Sequence, residues 1–177
     1  MERGQEAPPM GRKRFAASRK HLGHADGYTL LELLVNVAIV GILVAIAIPA
    51  YSTFKQRAQI ARAKGDLDTI RKAVEALAVD TGQWPGHQTV GNVNTVGANE
   101  VWNLSSGSAG LVATDGNFPN WQGPYMRVMP TDPWGMNYFF DTDYIIGGQT
   151  KVAVGSFGPN KVGPTTYDSD NVLLYLD

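Results

Sequence analysis

Residues 30–51 constrain this chain more than any other feature, because this stretch is apolar apart from Glu32 and Asn36. As an α-helix rising 1.5 Å per residue it would be about 33 Å long, enough to cross a hydrocarbon core of about 30 Å. An ionised carboxylate deep in hydrocarbon costs about 2.5–3.5 kcal/mol or more. Glu32, one turn inside the predicted span, therefore requires a function and a partner.

Charge is distributed unevenly, although the formal net charge is only −1. Residues 1–27 carry six basic and three acidic side chains, whereas residues 82–177 carry three basic and eight acidic ones. Because the positively charged flank of a span stays cytoplasmic, we expect a single-pass membrane protein with a cytoplasmic N-terminus and an exported C-terminal part. The acidic exported part is a poor match for nucleic acid. The absence of cysteine excludes disulfides and thiolate chemistry.

Beyond the span, apolar residues recur at spacings of three and four, which predicts one amphipathic helical face. They are Ile60, Ala63, Leu67, Ile70, Val74 and Leu77. One helix is therefore predicted from Thr29 to about Val79, membrane-spanning over residues 28–51 and amphipathic over residues 52–81. Pro49 is expected to kink or open it, and Gly82 to end it.

The last third of the chain has the composition of β-strands. We predict a hairpin over residues 138–146 that turns at Asp141-Thr142-Asp143, and further strands at residues 151–157 and 172–176. A globular head of residues 82–177 would then pack three to four antiparallel strands on the helical face, giving an α+β fold. Residues 86–120 are rich in Gly, Asn, Ser and Thr, which is typical of a variable loop.

Two groups of residues resemble a known family. Residues 27–33 read GYTLLEL and follow a basic segment, which resembles the class III N-terminus of prepilins, the precursors of type IV pilins and pseudopilins. Residues 80–85 read DTGQWP, residues 121–125 read WQGPY, and residues 130–138 read PTDPWGMNY. These three stretches resemble the major (G-type) pseudopilin of type II secretion.

The resemblance implies that a prepilin peptidase removes residues 1–27 and methylates the new amine of Tyr28, after cutting behind Gly27. Met10 offers an alternative start with a shorter leader. Glu32 would neutralise the Tyr28 amine of a neighbouring copy as the helices bundle. The implied product is a homopolymer in the periplasm that drives export of folded proteins. Its implied partners are minor pseudopilins and an inner-membrane assembly platform with a cytoplasmic ATPase.

Two alternatives remain open at this point. A close variant is a major or minor subunit of a surface type IV pilus. A different class is an exported, calcium-dependent binding protein whose signal peptide is cut after Ala47, within an A-x-A sequence. We expect no enzymatic activity, because His87 is the only histidine outside the leader and no catalytic constellation stands out.

The resemblance also implies a calcium ion in the C-terminal loop. The corresponding candidate ligands are Asn160, Asp168 and Asp170, which together with loop carbonyls could supply the oxygens that calcium requires. Asn160 stands where the family commonly has Asp, and Lys161 adds a positive charge beside it. The alternative is a solvated acidic turn before the last strand.

Overall fold

The computed structural model describes residues 27–92 and 99–176, so the predicted leader lies outside the described residues except for Gly27. The chain divides into two compact units, Met1–Val44 and Ala45–Asp177. One helix, α1, runs over Leu30–Thr81 and is 52 residues long, close to the bounds that the periodicity predicts. It continues through Pro49, whose carbonyl accepts hydrogen bonds from the Ser52 and Thr53 hydroxyls.

Both ends of α1 are capped by threonine side chains. At the start, the backbone N–H of Glu32 donates to Thr29 Oγ1 at 3.2 Å, which satisfies one of the free N–H groups of the first turn. At the end, the hydroxyl of Thr81 donates to the carbonyl of Leu77 at 2.7 Å. Gly82 follows with φ of 69°, the left-handed conformation that commonly terminates helices, as predicted.

Two small antiparallel sheets follow the helix. Strands β1 (Gln83–Trp84) and β2 (Gln88–Thr89) pair with each other, and a short 3-10 helix, Pro85–His87, lies between them. Strands β3 (Phe139–Ile146), β4 (Gln149–Ser156) and β5 (Val172–Leu176) form the second sheet in the order β3-β4-β5. The predicted α+β fold, a long N-terminal helix packed on a small antiparallel sheet, is therefore confirmed.

The predicted turn at Asp141-Thr142-Asp143 is wrong. These residues lie inside β3, where the register of pairing with β4 shifts between Asp141 and Tyr144, as in a β-bulge. The Asp143 N–H donates to Asp141 Oδ1 at 2.8 Å, so a local bond satisfies the backbone that the bulge unpairs. The hairpin turns instead at Gly147 and Gly148, which both have positive φ as a two-residue turn requires.

The core of the second unit forms where α1 meets the sheet and the loops before it. All predicted helix-face residues from Ala63 to Leu77 are buried, and Ile60 is half-buried. The region predicted as a variable loop also supplies buried side chains: Val101, Leu104, Ala109, Leu111 and Phe118. Its described part is thus built into the core, which the irregular spacing of these residues does not reveal.

Candidate functional site

The predicted processing site lies immediately before α1. Gly27, Tyr28 and Thr29 are non-helical and exposed, and the Tyr28 side chain is 72% exposed. Open space surrounds the α-carbon of Gly27 on the side where a Cβ would lie. The peptide bond between Gly27 and Tyr28 is therefore accessible within the part of the chain that the structure describes.

Glu32 lies in the first turn of α1, three residues after the capping Thr29. Its position matches the capping pattern in which an acidic residue follows a threonine at this spacing, and the helix dipole favours a carboxylate there. The side chain is exposed, and among residues 27–92 and 99–176 it forms no ion pair. Its carboxylate is available to a group from outside this copy of the chain.

An apolar surface extends from Glu32 along the helix. The most apolar part of α1 is long enough to cross a membrane, and none of it is buried within the protein. Leu30, Val37, Ile42 and Ile46 each expose more than 60% of their surface. At about 25 cal/mol per Å² of apolar area removed from water, such a surface requires lipid or other helices around it.

The second candidate site is the loop of residues 158–171, between β4 and β5. The Asn160 amide Nδ2 donates to the Asp168 carboxylate at 2.8 Å, so the structure brings these two predicted ligands together. Asp170 contacts Asp168 only through its backbone N–H, at 3.0 Å, and its side chain is exposed. The Asn160 oxygen accepts from the Val162 N–H at 2.9 Å, so Asn160 can face an ion with oxygen only after its amide rotates.

Asn171 is a candidate ligand that sequence reasoning missed. Its Nδ2 donates to the Tyr144 hydroxyl and to the Thr166 carbonyl, while its Oδ1 is buried without a hydrogen-bond partner among the described residues. A buried oxygen without a partner is costly, and a cation or water would remove that cost. Its position directly after Asp170 in an acidic turn is the one signal in the sequence that could have indicated it.

The side chains of this loop are of the kind that binds calcium, because the Asp168 carboxylate and the Asn160 and Asn171 amides would all bind a cation through oxygen. Within residues 27–92 and 99–176, no group of three or more His, Asp or Glu side chains converges as a metal cluster. Backbone carbonyls and water would therefore supply most of the six to eight ligands that calcium takes.

The tryptophan–proline motif, which comprises residues 121–125 and 130–138, anchors this loop to the rest of the head. Asp132 is buried, and its carboxylate accepts from the N–H groups of Trp134 and Met136, at 3.0 and 2.7 Å. The Ser156 hydroxyl also donates to it, at 2.5 Å, and in turn accepts from the Gly158 N–H at 3.0 Å. One carboxylate thus ties the motif to the first residue of the loop.

The motif also contacts α1 directly. The Tyr138 hydroxyl donates to Asp66 at 2.8 Å, and the Tyr125 hydroxyl donates to Asp80 at 2.8 Å. Burial and the Asp66 carboxylate raise the pKa of the Tyr138 hydroxyl far above its usual range, so it remains a donor at any physiological pH. These aromatic residues thus pack as core on the helix.

Asp141 is an unexpected buried acid next to the loop. It is fully buried in β3, and its Oδ2 has no hydrogen-bond partner among the described residues. Burial, reinforced by the neighbouring Asp143 carboxyl, raises the pKa of the Asp141 carboxyl from 3.8 to about 7. The predicted turn placed this residue in solvent, where no such shift would arise.

Comparison with known proteins gives a consistent set of similarities. The family model described as "Type II secretion system (T2SS), protein G" matches residues 51–173. A type II secretion system core protein G from Pseudomonas aeruginosa is 28% identical over 149 residues, covering 82% of this chain and 92% of that protein. The protein of the same name from Klebsiella pneumoniae is 28% identical over 145 residues, with the same coverage.

Other relatives match a shorter part. A fimbrial protein from Neisseria meningitidis is 42% identical over 69 residues, covering 39% of this chain and 41% of that protein. The chain thus spans about two fifths of the length of this fimbrial relative. Among solved structures, the major pseudopilin from the type 2 secretion system of enterohaemorrhagic Escherichia coli is 21% identical, with a TM-score of 0.46 over 68% of this chain and 86% of that one.

Proposed function

We propose that this chain polymerises into a periplasmic pseudopilus, since it belongs to the family of type II secretion system protein G. As a structural subunit of that filament it would drive export of folded proteins across the outer membrane. The observation that carries the polymerisation step is Glu32, an exposed carboxylate without an ion-pair partner among the described residues.

The partner of Glu32 is the amine that cleavage after Gly27 creates at Tyr28 of a neighbouring copy. A carboxylate and an ammonium group each pay a large desolvation cost inside a helix bundle, and pairing recovers much of it. A copy that docks out of register leaves one carboxylate and one amine unpaired in an apolar surrounding. The pair therefore sets the axial register of assembly, while the exposed apolar side chains supply the attraction.

Before assembly, the subunit is stored in the inner membrane with its N-terminus in the cytoplasm and its head in the periplasm. The six basic side chains of residues 1–27 support this orientation. A prepilin peptidase would process it, and minor pseudopilins and an assembly platform with a cytoplasmic ATPase would act with it. The chain itself supplies structure, and the ATPase supplies energy.

The test replaces Glu32 by Ala in the full chain and follows both membrane insertion and filament formation. We expect normal insertion, because the substitution makes the span more apolar, and loss or disorder of filaments in electron micrographs. Asn36→Ala, which removes the other polar group of the span, is the matched control and is expected to assemble. Ordered filaments from the Glu32→Ala variant at wild-type yield would refute the pairing.

A surface type IV pilus is the second candidate function, and the match to the Neisseria meningitidis fimbrial protein favours it specifically. That match spans 69 residues, whereas the protein G relatives match over 149 and 145 residues. Deletion of the gene separates the two functions. Loss of protein secretion with normal twitching and adhesion supports the pseudopilus, and the reverse supports the pilus.

For the loop of residues 158–171, the proposal includes a calcium ion held by Asp168, with Asn160, Asp170 and Asn171 as further ligands. Bound there, calcium would neutralise the acidic turn and satisfy the buried Asn171 oxygen. Calcium is expected to raise the melting temperature of the head, and Asp168→Ala to abolish that rise. Asp115→Ala, which removes a carboxylate remote in sequence from the loop, is the control. Identical melting curves with calcium and with EGTA would instead favour the solvated turn.

A further inference from the structure

The part of α1 that follows the predicted span has an unusual charge pattern. Between Tyr51 and Gly65 the sequence contains four basic residues and no acidic one; they are Lys55, Arg57, Arg62 and Lys64. All four are exposed. Basic residues normally concentrate on the cytoplasmic side of a span, so a cluster on the other side is not explained by topology.

The four cations differ in their partners. Arg62 pairs with Asp66 at 3.7 Å, and the next cations along the helix, Arg71 and Lys72, also pair with acids. Among residues 27–92 and 99–176, Lys55, Arg57 and Lys64 form no ion pair. Two of these three cations, Lys55 and Arg57, lie nearest to the apolar stretch, four and six residues beyond Tyr51.

This segment belongs to the exposed part of α1. Every residue from 51 to 58 is exposed, and the first contact of α1 with the motif region is a hydrogen bond from Gln59 to the Pro133 carbonyl. Tyr51 and Phe54 expose 71% and 67% of their surface. Aromatic residues at this position are typical of the boundary between hydrocarbon and headgroups.

We propose that residues 51–58 form a collar for the anionic headgroups of phospholipids at the periplasmic surface of the membrane. Lys55 and Arg57 contact the phosphates, and Tyr51 and Phe54 lie at the level of the glycerol backbone. The collar rests on the proposed function, since it presumes that the subunit is stored in the membrane before assembly.

The reach of the side chains agrees with this arrangement. At 1.5 Å per residue, Lys55 and Arg57 lie about 6 and 9 Å along α1 from Tyr51, within the headgroup layer and about one Debye length. Arg62 and Lys64 lie about 17 and 20 Å away, beyond that range. Of the four cations, only Lys55 and Arg57 are thus within reach of lipid phosphates.

The angular arrangement favours lipid over a second copy of the chain as the occupant. Successive helical residues are about 100° apart, so Lys55 and Arg57 project about 200° apart, on opposite sides of α1. A single second copy docks on one side of a helix and would leave one of these cations unpaired. Lipid headgroups surround the helix and can neutralise both.

The proposal is tested by hydrogen exchange of the full chain in nanodiscs that hold one copy each. In discs of phosphatidylglycerol, the backbone amides of residues 52–58 should exchange at least about five-fold more slowly than in discs of phosphatidylcholine. Each cation near an anionic surface contributes about a five-fold change in association. The double variant Lys55→Gln/Arg57→Gln and a high salt concentration should each remove the difference. Lys151→Gln/Lys161→Gln, with two cations outside α1 removed, should retain it.

Equal exchange rates in the two lipids would overturn the proposal, as would an unchanged difference in the Lys55→Gln/Arg57→Gln variant. Protection that arises only when discs hold several copies would assign the segment to a second copy instead, which also overturns it. These outcomes are distinct from failure of the proposed function, because a chain that is not a membrane-stored subunit would fail to insert into discs of either lipid.

Discussion

Raising the pH from about 5 to about 8 is expected to destabilise the head by about 2–3 kcal/mol through Asp141 alone. The pKa of this carboxyl is about 7 in the folded protein, against 3.8 in an exposed position. The folded state therefore holds a proton that the unfolded state releases. Its stabilising contribution is complete below about pH 4 and is lost as the pH rises through about 7.

The magnitude follows from the two pKa values. Each pH unit between them costs about 1.4 kcal/mol, since one proton distinguishes the two states. From about pH 5 to the folded pKa of about 7 there are two such units, which gives about 3 kcal/mol. For a domain of about 100 residues, that corresponds to a melting temperature lower by about 10–20 °C.

The assay is urea unfolding of the full chain in detergent with EGTA, monitored by tryptophan fluorescence, because all four tryptophans lie beyond residue 82. In Asp141→Asn an uncharged amide replaces the protonated acid. The free energy of unfolding of this variant should therefore not fall between pH 5 and 8, and near pH 8 it should exceed that of the wild type. Asp68→Asn is the control, because hydrogen bonds from Lys72 and Arg71 lower the pKa of the Asp68 carboxyl, which stays charged throughout this range. It should leave the dependence of stability on pH between 5 and 8 unchanged.

The reasoning fails if the wild type and the Asp141→Asn variant lose stability in parallel between pH 5 and 8. It also fails if Asp141→Asn destabilises the head equally at both pH values, since that would mean that the carboxyl is charged throughout.

Three further predictions concern the head and can be measured by the same unfolding assay. Asp132→Ala should cost about 3–5 kcal/mol, because it leaves two N–H groups and a buried hydroxyl without their acceptor; a loss below 1 kcal/mol would contradict this. Tyr138→Phe should cost about 1–2 kcal/mol through its lost hydrogen bond to the helix, with an unchanged m-value. Gly158→Ala should cost about 2–4 kcal/mol, because its Cβ would meet the Asp170 carbonyl at a φ of 71°. Gly147→Ala, at a φ of 56° but in open space, should cost only about 1 kcal/mol, and equal losses would refute the steric argument.

The helix was predictable because its signals are local. A span length, a spacing of three and four, and a glycine after Thr81 each depend on neighbouring residues only, and they placed α1 within about two residues. The strands at residues 149–156 and 172–176 were found for the same reason. The turn of the first hairpin lies at Gly147-Gly148. It was misplaced at Asp141-Thr142-Asp143 because Asp is common in turns, and the sequence does not reveal the bulge that keeps this triplet inside β3.

The candidate-site residues also differ in whether local sequence signals could reveal them. Gly27, Tyr28 and Glu32 come from one contiguous motif, and their exposure follows from their position at the start of an apolar helix. Asn171 could not be recognised from the sequence, because only the folded loop buries its side-chain oxygen beside Tyr144.

By itself, the sequence determined a membrane-length helix with an acid in its first turn, an amphipathic continuation and the family to which the chain is similar. These are properties of composition and period along one element. Only the tertiary structure decided that Asp141 is a buried acid, and that Tyr138 bonds to Asp66, 72 residues earlier in the chain. The physical reason is that burial and pairing depend on which distant segments share a core, and hydrophobic packing settles this only when the whole head folds.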